Sequence, residues 1–176
     1  MITIKKITSL DLLREACEST FNGESKQTLF QQYRSEESPA RTQIFWITLD
    51  PIPVFVATHL VRHHVGSQPF ALTHRIDRKG GGEDAGRSTP SKLSLLINAQ
   101  SLIDMAKQRL CLGASHETRE AMEDVKAGLW KVDPDLTMFL QPKCIYRNGL
   151  CEKLKCRYYL SPAGSQELDK YRRLFK

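Results

Sequence analysis

Four of the chain's five histidines and two of its arginines stand between His59 and Arg75. Side chains of these types at such density suit anions. A guanidinium grips a phosphate through two parallel hydrogen bonds, and a nearby hydroxyl or backbone N–H completes the shell. If the segment is helical from Pro53, the i, i+3, i+4 spacing of His59, Arg62 and His63 puts all three on one face. Val54, Val56, Leu60 and Val61 then supply apolar contacts around the turn. Gly66 and Pro69 are expected to end that helix and release a loop carrying Ser67, Thr73, His74 and Arg75. A cationic helix end facing such a loop is suited to a phosphate and to a second anionic or ring-shaped ligand. The bland alternative is a solvated basic helix end with nothing bound, since surface histidines need no special explanation.

The register of the stretch resembles the signature of the flavin-dependent thymidylate synthases, R-H-R-x-x-S-x-N-E-x-S-x-R. Arg62, His63 and Ser67 match in place, and His59 stands where that family carries a nucleotide-contacting glutamine. His64 replaces the third motif residue, Pro69 and Phe70 replace the Asn-Glu pair, and Thr73-His74-Arg75 stands for Ser-x-Arg with one residue added. The resemblance implies that Arg62, His63 and Ser67 bind flavin. It further implies that His59, Thr73, Arg75, Arg119 and Lys143 surround the nucleotide. Arg119 corresponds to the arginine of a Glu-x-x-Arg element, one residue off in spacing. Lys143, in Phe139-Leu140-Gln141-Pro142-Lys143, takes the place of a pyrimidine-binding arginine and keeps the charge without the fork. The implied cofactors are FAD, NADPH and methylenetetrahydrofolate, the implied substrate is dUMP, and the implied assembly is a homotetramer. Compact, divergent relatives of this kind look like those carried by phage genomes.

The elements that must hold these residues follow from periodicity. Ile2 to Ile7 reads as a short edge strand, and Ser9 or Asp11 caps a helix through Leu12, Leu13, Ala16 and Cys17. Asn22-Gly23 marks a turn, and residues 26–35 form a second helix with Phe30 and Tyr33 on one side. Thr42 to Leu49 is the clearest strand, with Asp50-Pro51-Ile52-Pro53 as its exit turn and Pro53 in the first helical position. Residues 77–91 read as a mobile glycine-rich loop. Ser91 is expected to cap a long helix from Lys92 to Leu110, and a second helix runs from Glu117 to Leu129. Thr137 to Tyr146 is read as a strand sharing one sheet with Thr42 to Leu49, and Ser165 to Lys176 as a basic amphipathic helix. The expected fold is one α+β domain over residues 1–176, with a mostly antiparallel sheet packed by helices.

Composition bounds the rest. A chain of 176 residues with 40% hydrophobic content supports one domain with a core. The net charge of +6 and pI near 9.1 point to an anionic partner, either nucleotide or nucleic acid. Aromatic residues make up only 8%, and no stacking platform is evident, which weighs against nucleic acid. No stretch approaches the roughly 18 consecutive apolar residues of a membrane span, so a cytoplasmic protein with no membrane partner is expected. Cys144, Cys151 and Cys156 fall within one short segment, either as zinc ligands or as ordinary thiols. The lack of a Cys-x2-Cys pair and of a fourth ligand favours thiols, and no metal is assigned. Two function classes stay open. One is a flavin-dependent enzyme placing a one-carbon unit on C5 of dUMP. The other is a binding protein on the same scaffold that holds a nucleotide or nucleic acid without flavin chemistry.

Overall fold

The computed structural model describes residues 1–20, 23–75, 77, 86–151, 153 and 156–176. Four strands form one antiparallel sheet in the order β1-β2-β4-β3. They are β1 (Ile2–Lys6), β2 (Ile44–Pro53), β3 (Ser67–Ala71) and β4 (Pro90–Asn98). In β2 and β4 the alternation decides the faces. Phe45, Ile47 and Leu49 pair with Ile97, Leu95 and Leu93, and all six are buried. Helices cover that face: α3 (Val54–Val61) with Val56 and Leu60, α4 (Ala99–Arg109) with Leu102 and Ile103, and α5 (His116–Leu129) with Met122 and Val125. The other face carries Trp46, Leu96 and Phe70, which share it by register. The fold is thus the expected α+β class with an antiparallel sheet.

The remaining elements close the core. α1 (Leu10–Glu18) buries Leu13 and Cys17, and α2 (Leu29–Ser35) buries Tyr33 behind a Thr28/Gln31 capping box. Asp133 is the principal internal anchor. It caps α6 (Pro134–Phe139) by accepting from the N–H of Leu136 at 3.1 Å. It also accepts from Tyr33 Oη at 2.8 Å and Lys6 Nζ at 2.7 Å, joining β1, α2 and α6 at one buried carboxylate. α7 (Lys143–Tyr146) and α8 (Pro162–Arg173) complete the chain, the latter burying Leu168 and Tyr171.

Several sequence expectations are corrected here. Residues 92–98 are strand, not helix: Leu93, Leu95 and Ile97 point inward with period two. The helical stripe begins only at Ala99, where Asn98 caps α4 by accepting from Ser101 N–H at 2.9 Å. Leu95, Leu96, Ala99 and Leu102 also satisfy helical spacing, so the two periods overlap at the junction. No strand forms over residues 137–146: α6 ends at Phe139, residues 140–142 connect it to α7, and Leu136, Phe139 and Leu140 bury together at i, i+3, i+4, with Pro134 in the first turn of α6 and Pro142 as the N-cap of α7. β2 runs on through the proposed exit turn to Pro53, with a bulge between Leu49 and Ile52. Pro53 is the N-cap of α3, not its first residue. Ser67 to Ala71, read as loop, is the edge strand β3, and the edge position is what tolerates Pro69. Of the glycine-rich loop, residues 78–85 lie outside the described residues, as does Asn22 of the Asn-Gly turn.

Candidate functional site

The helix carrying the basic cluster is shorter than its spacing suggests. α3 ends at Val61, Arg62 is its C-cap, and the chain turns back to enter β3 at Ser67. Gly66 makes that turn with φ +69°, where a side chain is disfavoured. A Cβ there would stand 2.3 Å from both Asn98 Nδ2 and Ser101 Oγ, because the turn crosses the start of α4 at close range. Two bonds hold the crossing: Asn98 N–H donates to Gly66 O at 3.0 Å, and Ser101 Oγ donates to Val65 O at 2.5 Å.

The far end of α4 supplies a second clamp. Arg109 Nε donates to His63 Nε2 at 2.9 Å, and its Nη2 donates to the backbone oxygen of His59 at 2.8 Å. An acceptor nitrogen carries no proton, so the neutral His63 ring bears its hydrogen on Nδ1. Burial, together with the Arg109 charge, pushes the His63 imidazole down to about 4. His59 is shifted down as well, by burial and by Arg109, Arg62 and Arg87, and its Nδ1 lies 2.9 Å from Thr118 Oγ1 on α5. Both rings are therefore neutral hydrogen-bonding groups amid fixed guanidinium charge.

Around this turn lie two adjoining cavities. One, of about 420 Å³, is walled by Arg41, Arg62, His63, His64, Gln100 and Ser101 among others. The second, of about 330 Å³, shares Arg41, His64 and Gly66 with it and adds Ser67, Gln68 and Leu96. Two buried side-chain oxygens in their walls, Ser67 Oγ and Gln100 Oε1, have no hydrogen-bond partner among the described residues. A third, shallower cavity of about 260 Å³ is lined by Phe55, His59, Arg62 and Arg87, with the Arg87 guanidinium 4.8 Å above the Phe55 ring. On the open face of the sheet next to the second cavity, Trp46 and the half-exposed Phe70 stand with ring centroids 5.3 Å apart. This is an aromatic platform that composition alone does not reveal.

The structure brings Arg62, His63 and Ser67 to the adjoining cavities, and it puts His59 beside Arg62 in the third. Thr73 and Arg75 follow β3 on the surface, with Arg75 paired to Asp77 at 2.6 Å. Arg119 follows Thr118 on α5 and stands 3.8 Å from Glu123. Lys143 opens α7 and lines a separate cavity of about 90 Å³ with Cys111, Cys144 and Cys151. The basic residues that sequence reasoning leaves out are Arg41, Arg87 and Arg109. Nothing local marks them, since Arg109 reaches His63 across 46 positions and Arg41 sits in a 3-10 turn (Ser38–Thr42) ahead of β2.

Chemically, the arrangement supplies fixed positive charge, neutral imidazole donors, unpartnered buried oxygens and a flat aromatic surface. These suit a ligand with phosphate at one end and a planar ring at the other. No protein-family model matches the chain, and no curated protein matches it by sequence. Solved structures do match it in three dimensions. A UMP/dUMP methylase, PolB from Streptomyces cacaoi, solved with 5-Br dUMP, superposes with a TM-score of 0.56 at 16% identity over 79% of this chain and 94% of that one. Thymidylate Synthase X (ThyX) from Helicobacter pylori, solved with FAD and dUMP, superposes with a TM-score of 0.61 at 11% identity over 80% of this chain and 97% of that one. At these identities the likeness establishes the fold, an antiparallel sheet with helices packed on it, which this chain shares with both proteins.

Proposed function

We propose that this chain is a nucleotide-binding enzyme of the flavin-dependent thymidylate synthase type, which takes dUMP and FAD at the basic turn and places a one-carbon unit on C5 of the pyrimidine. The observation that carries the reading is the pair of adjoining cavities walled by Arg41, Arg62 and His63, with Ser67 Oγ left unpartnered inside them. The fit to the cofactor rests on the same residues. A pyrophosphate would satisfy Arg41 and Arg62, while Ser67 Oγ offers a hydroxyl where a buried oxygen otherwise lacks a partner. The two solved structures described above were obtained with a deoxyuridine nucleotide or its bromo analogue, and one also with FAD, which supports the choice of ligand.

Under this reading Arg62 and Arg41 bind phosphate, Arg109 holds His63 in one tautomer, and Phe70 with Trp46 covers a flat ring. Bound flavin would supply the hydride chemistry, with NADPH as reductant and methylenetetrahydrofolate as carbon source. The protein's part is charge, orientation and exclusion of water, so no side-chain nucleophile is needed. His59, Thr73, Arg75, Arg119 and Lys143 are the proposed contacts to the nucleotide. The last four lie outside the basic cavities, and a tetramer whose sites lie between subunits would bring such residues from neighbouring copies. Pro69 and Phe70 in place of Asn-Glu remove a carboxylate and a backbone donor, so turnover is expected to be weak or altered in its one-carbon group.

The test is tritium release from C5 of labelled dUMP with FAD, methylenetetrahydrofolate and NADPH all present. Release above a no-protein control that is lost in Arg62→Ala supports the enzyme. Absence of release with nucleotide affinity retained leaves the alternative, a binding protein on the same scaffold. Trp46 and Phe70 make that second reading concrete, because an aromatic pair with Phe70 half exposed also suits the bases of a single strand.

A further inference from the structure

A cavity of about 540 Å³ lies between α5, α6 and α8, apart from the basic turn. Its volume is in the range of small-molecule pockets, roughly 300–1,000 Å³. α5 spans the distance between the two places. Thr118, against His59, and Lys126, in the wall of this cavity, are separated by about 12 Å along the helix axis.

The wall is built unlike that of the basic turn. Leu110, Ala127, Met138 and Pro142 give it an apolar lining, and Trp130 contributes an indole that is 59% exposed. Trp130 takes part in none of the aromatic pairs or cation–π contacts among the described residues, so its indole is an exposed flat ring without an aromatic or cationic partner beside a cavity. Most of the polar groups are matched. Tyr158 Oη donates to Glu167 Oε2 at 2.8 Å, and Lys126 Nζ stands 3.8 Å from Glu167 Oε1. Gln141 is the exception. It is only 7% exposed, its Nε2 donates to Met138 O at 3.1 Å, and its Oε1 has no partner among the described residues. A buried amide oxygen without a donor is rare and costly in folded proteins.

We propose that this cavity is a second binding site, separate from the basic turn, for a small flat nitrogen heterocycle that carries N–H donors. The Trp130 indole stacks on the ring, and Gln141 Oε1 accepts a hydrogen bond from it. The terminal torsion of a glutamine is soft, so Oε1 reaches a donor in the cavity by a modest rotation. The charge of the wall selects the ligand class. Glu123 and Glu167 outnumber Lys126 there, which favours a neutral or cationic donor and disfavours the phosphates that suit the basic turn. The two sites therefore take chemically opposite ligands.

The experiment follows intrinsic tryptophan fluorescence of the full chain titrated with 2-aminobenzimidazole, a flat bicycle with amino and ring N–H donors, with Trp46→Phe used to isolate the Trp130 signal from that of the other tryptophan. Quinoxaline, of similar outline with no donor, and benzoate, an anion, serve as comparisons. Saturable quenching is expected for 2-aminobenzimidazole, with affinity at least tenfold weaker for quinoxaline and for benzoate. Gln141→Leu and Gln141→Met are each expected to lose at least tenfold, with melting temperature recorded for both so that unfolding is recognised. Trp130→Ala, at an exposed position that does not support the core, is expected to weaken binding measured by calorimetry. Arg62→Ala is expected to leave the affinity unchanged. The proposal is overturned if the wild-type chain shows no saturable binding, if the glutamine variants stay folded and bind as well as wild type, or if Arg62→Ala abolishes binding.

Discussion

Arg109, in the last turn of α4, donates its Nε hydrogen to Nε2 of His63 at 2.9 Å and so fixes the imidazole as a neutral ring with its proton on Nδ1. The first prediction follows from the burial of that ring together with the Arg109 charge beside it. Folded His63 titrates at about 4, whereas an unfolded histidine titrates near 6.5. The unfolded chain thus takes up the proton first, and stability that is full above about pH 6.5 is lost as the pH falls toward 4. The ring is only half buried, so the loss attributable to it is about 1–2 kcal/mol after solvent screening. Nitrogen-15 chemical shifts of the histidine rings should show an Nδ1-protonated His63 that titrates well below 5. Titration near 6.5 would contradict a His63 ring buried against the Arg109 guanidinium.

Arg109→Lys should behave nearly like Arg109→Ala. The fork that reaches His63 Nε2 and His59 O at once is a property of the guanidinium, and an ammonium supplies neither geometry. Each variant is expected to cost about 2 kcal/mol in urea denaturation, and Arg109→Ala, which removes the charge, to raise the His63 titration point. A fully stable lysine variant would show that charge alone suffices.

Gly66→Ala and Gly128→Ala should have different outcomes. At Gly66 the added Cβ meets Asn98 and Ser101 at 2.3 Å with the backbone at φ +69°, and a loss of about 2–4 kcal/mol is expected. At Gly128, inside α5, the nearest atom is the end of the Ile4 side chain at 2.9 Å. There the helix propensity of alanine, about 1 kcal/mol, offsets the crowding. Thermal melts of the two variants decide the matter, and equal losses would contradict the close crossing of turn and helix.

Asp133→Ala should be among the most damaging single changes. It removes the acceptor for Lys6, Tyr33 and the Leu136 N–H together, leaving a part-buried ammonium and a buried hydroxyl without partners. About 3–5 kcal/mol is expected, with Asp133→Asn intermediate. Chemical denaturation of both variants provides the check, and a loss below about 1 kcal/mol for alanine would remove Asp133 as an anchor.

How much of this is legible in the sequence depends on the reach of each interaction. Arg62, His63 and Ser67 lie within six positions of the chain, so their types and spacing lead to the expectation of an anion site before any fold is known. The inward stripe of α5, Ala121, Met122, Val125 and Leu129, is legible for the same reason. β4 is not, because strand and helix periods overlap at Leu95, Leu96 and Ala99, and only its pairing with β2 and β3 resolves which one holds. α6 and α7 are hidden by their brevity, since four or six residues of helix show too little periodicity. Arg41, Arg109 and the Trp46–Phe70 pair are made by tertiary contact alone.

The most direct measurement is calorimetric titration of FAD and of dUMP into the wild-type chain, Arg62→Ala, Arg41→Ala and Arg172→Ala. Arg172 lies on α8 beside Asn148 and Asp169, away from the basic turn, and serves as the charge control. Removing one charge-assisted phosphate contact is worth about 1.5–3 kcal/mol, or about 10- to 100-fold in affinity. That loss is predicted for Arg62→Ala and Arg41→Ala, with Arg172→Ala binding as wild type does. Equal losses in all three variants, or no affinity of the wild-type chain for either ligand, would contradict a built nucleotide site at the turn between α3 and β3.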